Sequence, residues 1–268
     1  MSIFHSTTDA LIAQLRDHGT QSVLLSGPKG VGLLEVARHI TQGNQTSFVS
    51  PDETKASRPI SAEMIRDLYD MTRSKSVGRQ YIIISEADAM TKSAQGAFLK
   101  LLEEPNASIY FILISSKPDE LLPTIRSRVQ HHVVAPITSE QSATYLTELG
   151  INNETSRKQL LYIAEGLPEE LARLATDEPY FAESVQRMKD AREMLQAPLY
   201  KRLLVINGYR DNRIKAQQLV MFATNMTRRS LSQRPQKSLV TQLDRLLQAS
   251  EALQANGNVR LTLTCLVV

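Results

Sequence analysis

Cysteine is almost missing from this sequence: Cys265 is the only one in 268 residues, and there is no tryptophan. A single cysteine excludes an internal disulfide and any zinc site built on several thiolates. The five histidines, at positions 5, 18, 39, 131 and 132, lack metal-ligand spacing, so no metal is expected. No run of about 18 apolar residues occurs, which excludes a helical membrane span. The N-terminal stretch MSIFHSTTDALIAQLRDHG has no basic segment followed by an apolar core, so no signal peptide is read. These absences point to a cytoplasmic protein.

Neither sign of charge dominates. Lysine and arginine number 31 against 28 aspartates and glutamates, a net of +3. The distribution is uneven: from Val185 onward there are 14 basic and 5 acidic residues, whereas the first 184 hold 17 and 23. A basic C-terminal third suits contact with nucleic acid or with an acidic partner, or a solvated helical surface. No internal repeat or low-complexity tract is found.

The chain alternates between two periodicities before settling into one. SVLLSG (22–27), RQYIIISEAD and SIYFILISS are apolar runs of strand type, and HHVVAP is a shorter fourth. Runs of this kind are strands buried on both faces of a parallel sheet. Between them lie helical segments: LLEVARHITQ, then ISAEMIRDLYDMTRSK with Ile60, Met64, Ile65, Leu68 and Met71 on one face and Ser61 as cap, then TKSAQGAFLKLLEEP stopped by Pro105. The polar stretch TQGNQTSFVSPDETKASRP (41–59) reads mostly as loop. After Pro136 only helical periodicity remains, and DEPYFAE (177–183) reads as a linker. The division is therefore 1–136, a doubly wound α/β domain, then 137–178, a small helical domain, and 179–268, an all-α domain with breaks near Pro198, Asn207-Gly208, Pro235 and Asn256-Gly257-Asn258.

One stretch carries a contradiction. In SGPKGVGLLEVA (26–37), Gly27, Gly30 and Gly32 keep the G-x-x-x-x-G frame of a phosphate-binding loop between a strand and a helix. The lysine and hydroxyl residue that should follow would touch the β/γ-phosphates and Mg²⁺. Leu33 and Leu34 stand there instead, and they can do neither. A second landmark, YIIISEADAM, is an apolar strand ending where such enzymes place the acid that orients Mg²⁺. Ser85 occupies that position, with Glu86 and Asp88 following. A third is the strand end at Ser115-Ser116, followed by Ser127-Arg128.

With those residues in view, QYIIISEADAMTKSAQGAFLKLLEEPNASIYFILISSKPDELLPTIRSRVQ (80–130) resembles the clamp-loader branch of the AAA+ ATPases. The family pattern is a strand ending in acids, a K-LLEEP helix, a sensor strand and an L-x-T-I-x-SR segment, with Val129 here in place of the usual cysteine. ANGNVRLTLTCLVV resembles the family's last collar helix. The resemblance implies an AAA+ type parallel sheet with flanking helices (1–136), a helical lid (137–178) and an all-α collar for oligomerisation (179–268).

It also implies a role for Arg128: an arginine finger acting in trans on ATP held by a neighbouring subunit, with Ser127 setting its turn. The family's second sensor arginine, in a G-x-x-R pattern, falls on Glu169, whose charge would repel phosphate. With Leu33, Leu34 and Ser85, this makes a non-catalytic member, with Gly27, Gly30 and Gly32 kept for the turn. The cofactors expected are none: the family's four-cysteine zinc module is absent, and ATP or ADP binding is not expected beyond a weak residue of it. The partners implied are ATPase motor subunits, the clamp-opening subunit, the sliding clamp and primer–template DNA. Arg73, Lys75 and Arg79 are the candidates for touching the DNA backbone, without sequence preference. Two other readings stand beside this one: an active motor subunit of the same loader, and a stand-alone AAA+-derived DNA-binding protein.

Overall fold

A computed structural model describes residues 3–51, 59–73, 78–104 and 106–267, without the side chains of 70–73. The chain divides into two compact units, Met1–Ala175 and Thr176–Val268.

The first unit is built on a sheet that, among the described residues, has five strands: β1 (Ser22–Ser26), β2 (Gln45–Val49), β3 (Gln80–Ile84), β4 (Ile109–Ser115) and β5 (Gln130–Val133). Their order is β2-β3-β4-β1-β5, all parallel. Around it lie α1 (Ser6–Asp17), α2 (Leu33–Thr41), α3 (Ala62–Arg73), α4 (Lys92–Glu103) and the single turn α5 (Pro123–Arg126).

Side-chain alternation along the central strands splits the core into two layers. Leu24, Ile82, Ile84, Phe111 and Leu113 face a cluster with Ile65, Leu68, Phe98, Leu102, Ile125 and Val129 of the α3–α4–α5 side. Val23, Leu25, Tyr81, Ile83, Ile112 and Ile114 face the other layer, with Ile12, Leu15, Leu33, Val36 and Ile40. The unbroken apolar runs of β1, β3 and β4 follow from this two-sided burial. Ser61 caps α3 as expected, its Oγ accepting from the Met64 N–H. Pro105, expected to stop α4, lies outside the described residues.

Two expectations need correction. Residues 45–49, read as loop, form the edge strand β2, in register with β3. Only Val49 of this strand is buried and Phe48 is more than half exposed, so neither apolar continuity nor alternation marks it. Residues 177–183, read as a linker, hold the start of a helix: Asp177 caps it by accepting from the Tyr180 N–H, and Pro179 sits in the first turn, where its missing N–H costs nothing.

The sheet is followed by α6 (Ser139–Glu148), α7 (Glu154–Ala164) and α8 (Pro168–Thr176). α6 opens with a reciprocal capping box between Thr138 and Gln141. The second unit holds α9 (Glu178–Gln196), α10 (Leu199–Asn207), α11 (Arg213–Gln233), α12 (Lys237–Gln254) and α13 (Val259–Val267). Its breaks fall at Pro198, Gly208, Pro235 and Asn256–Asn258, where Asn258 caps α13 through the Leu261 N–H.

Candidate functional site

The glycine-framed loop lies between β1 and α2, on the C-terminal edge of a central strand. Its glycines have geometric reasons to be there. A Cβ on Gly27 would sit 2.9 Å from the Val134 carbonyl oxygen and 2.9 Å from Val31 Cγ1. Gly30 and Gly32 hold φ of 86° and 90°, the left-handed region that costs a side-chain-bearing residue about 1 kcal/mol or more. Leu33, in the lysine position, is 8% exposed and belongs to the core, and Leu34 packs against the same cluster.

The loop is also closed from above. The Glu169 N–H, in the first turn of α8, donates to the Gly30 carbonyl (3.1 Å), and Leu167 and Glu170 lie within van der Waals reach of a Cβ on Gly30. Glu169 thus sits beside the loop. Burial and the neighbouring Glu35 carboxylate together hold its carboxyl above the usual carboxylate range.

At the end of β3, Ser85 directs its N–H to the Val49 carbonyl (2.8 Å), and Glu86 adopts a left-handed φ of 50°. Asp88 is occupied: its Oδ1 accepts from Ser115 Oγ at 2.6 Å. Ser115, at the sensor position, is fully buried and also accepts from the Lys117 N–H. On the neighbouring strand pair, Ser26 Oγ and His131 Nε2 lie 2.7 Å apart.

Arg128 follows α5, whose Pro123 presets the first turn. Its side chain is 40% exposed, with Nη2 at 3.1 Å from Glu103 Oε1 and Nη1 donating to the Thr124 carbonyl at 3.1 Å. Ser127 Oγ donates to the same carbonyl. Glu103 was contained in the quoted LLEEP segment, yet nothing in its spacing from Arg128 announces the pair.

Of the DNA-contact candidates, Lys75 and the side chain of Arg73 lie outside the described residues. Arg79 is engaged by the fold: its Nη1 donates to the Arg16 carbonyl and its guanidinium lies over the Tyr110 ring. No motif in the sequence marks Arg66 and Lys100, which line a groove of about 410 Å³ with Tyr69, Ser93, Gly96 and Ala97 on α3 and α4. Among the described residues no group of three or more acidic, histidine or cysteine side chains is arranged to hold a metal, and no helix is long and apolar enough to cross a membrane.

This sheet order with a strand–loop–helix entry is the architecture of the AAA+ class. A Thermotoga maritima protein described as DNA polymerase III, gamma subunit-related shares the fold over 97% of both chains, with a TM-score of 0.55 at 18% identity. A Thermotoga maritima RuvB mutant covers 70% of this chain and 61% of its own, with a TM-score of 0.51 at 16% identity.

The sequence comparisons are narrower. Residues 38–138 match the family described as DNA polymerase III, delta subunit. The DNA polymerase III subunit delta' of Pseudomonas aeruginosa is 27% identical over 65% of this chain and 62% of its own length. That of Bacillus subtilis is 27% identical over 67% and 61%. The gamma subunit of Buchnera aphidicola is 26% identical over 69% and 59%. The alignments thus span less than two thirds of these relatives' own length. Together these matches make the chain similar to DNA polymerase III delta' and gamma subunits.

Proposed function

We propose that this chain is a non-catalytic, delta'-type subunit of the DNA polymerase III clamp loader, giving Arg128 in trans to ATP bound by a gamma-type neighbour. The observation that carries the reading is the closure of its own loop: Leu33 is in the core, and Gly30 is bonded to Glu169 of α8. A site in this state offers a polyphosphate neither the lysine nor the hydroxyl that a phosphate loop supplies after its last glycine. Arg128, by contrast, keeps an exposed guanidinium on a short, Pro-started turn anchored by buried Ile125 and Val129.

In this reading residues 1–136 form the ATPase-like domain, 137–178 the lid and 179–268 the collar that joins the other subunits. The assembled complex would act on the sliding clamp and primer–template DNA. Any contact made by Arg73, Lys75 or Arg79 goes to the DNA backbone and is salt-dependent. The finger stabilises charge spreading over the transferring phosphoryl group, an effect of roughly 10³ to 10⁵ in rate in other phosphoryl-transfer systems.

The test is DNA- and clamp-stimulated ATP turnover by the reconstituted loader carrying wild-type chain or Arg128→Ala. Lower turnover in an intact complex is expected, and unchanged turnover would remove the finger. The alignment with a gamma subunit favours a second reading, an active motor subunit. ATP turnover by the isolated chain would establish that one instead.

A further inference from the structure

The two carriers of the Arg128–Glu103 pair are set in one core cluster. On α4, Phe98, Leu101 and Leu102 are buried up to the residue before Glu103, and Val129 and Ile125 are buried on either side of Arg128. The charged side chains thus emerge from fixed backbone, and their meeting at 3.1 Å needs little further ordering.

We infer that Glu103 is the positioning residue of the Arg128 finger, an inference that rests on the finger reading above. Glu103 ties Nη2 while the Thr124 carbonyl ties Nη1. Anchoring both terminal nitrogens fixes the plane of the guanidinium. It leaves part of the five-donor fork open to solvent, where a phosphate oxygen can be met. The neighbouring cation does not compete: Arg126 is held by Asp119 at 2.6 Å. Both Glu103 and Arg128 remain substantially exposed, so the pair contributes orientation rather than stability.

Glu103→Gln keeps the shape and removes the charge. In the reconstituted loader it is expected to lower stimulated ATP turnover by about two- to fivefold, the range of an exposed ion pair. The loss should appear in kcat with KM for ATP unchanged, because the finger acts on the transition state. The unfolding midpoint of the free chain should not move.

Glu103→Gln placed on Arg128→Ala discriminates: a residue acting only through Arg128 has nothing left to position, so turnover should fall no further. Equal losses in both backgrounds, or unchanged or raised turnover with Arg128 intact, overturn the inference while leaving the finger in place. If Arg128→Ala alone has no effect in an intact complex, the finger reading fails and this inference falls with it.

Discussion

Restoring the missing residues of the phosphate loop, by Leu33→Lys with Leu34→Thr, should weaken the fold and still give no ATP binding. Leu33 is 8% exposed and packs among Phe4, Val23, Val36 and Ile40 in the layer against α1 and α2. Withdrawing a leucine from such a site loses about 2 kcal/mol. The lysine stem can still cover apolar surface, but its ammonium enters the first turn of α2, the positive end of the helix, at a further cost of about 0.3–1 kcal/mol. Incomplete solvation of the charge adds to that, so about 3 kcal/mol is expected, a large share of the roughly 5–15 kcal/mol typical of a domain. Urea unfolding should show a lower midpoint at unchanged slope. ATP binding is not expected, because the Gly30 carbonyl is still bonded to α8 and the Glu169 carboxyl, close enough to Glu35 to feel its charge, is still beside the loop. Titration with a fluorescent ATP analogue reads this directly. A double variant as stable as its parent that binds ATP at micromolar concentration would refute the reasoning: the loop would be a vacant cradle rather than a packed joint.

Glu169→Gln tests the acid pair through pH. A carboxyl held above its ordinary pKa binds protons more readily folded than unfolded, so its penalty is absent in acid below its unfolded value and complete above the folded one. The glutamine variant should therefore be the more stable at neutral pH, by no more than about 0.5 kcal/mol after solvent screening. The advantage should vanish below about pH 4; a difference constant across pH would show that Glu169 acts through packing instead. In the second unit, Tyr209 donates its hydroxyl to Asp190 Oδ2 at 2.5 Å, and burial together with that carboxylate raises its pKa. Tyr209→Phe should cost about 1.5–3 kcal/mol, the range for a hydrogen bond to a charged acceptor, read as a lower melting temperature. No change would mean that water replaces the phenol without loss.

The parts of this molecule that could be read from sequence are those whose physics is local. β1, β3 and β4 are apolar along their whole length because both faces are covered, and the helix breaks after α9 carry proline, glycine or asparagine. β2 escaped because an edge strand with one buried residue has no periodicity to find. The start of α9 escaped because Asp177 and Pro179 are as common in linkers as in caps and first turns. The contacts that define the candidate site are tertiary: Glu169 meets Gly30 and Glu103 meets Arg128 only after the sheet and its helices have assembled, and no spacing rule encodes either.

The loop shows how the fold alone can require a glycine frame. Gly27 is required by the approach of the Val134 carbonyl, and Gly30 and Gly32 by their backbone angles. These demands arise from joining β1 to α2 beside β5, and they persist whether or not phosphate is bound. The lysine and hydroxyl positions serve no such demand, and there leucine gains burial on the helix's inner face. The glycine frame therefore reports the turn, and the residues that follow it are the ones that bear on phosphate chemistry. Of the landmarks here, it is the exposed Arg128, whose side chain the core does not require, that argues for a function beyond folding.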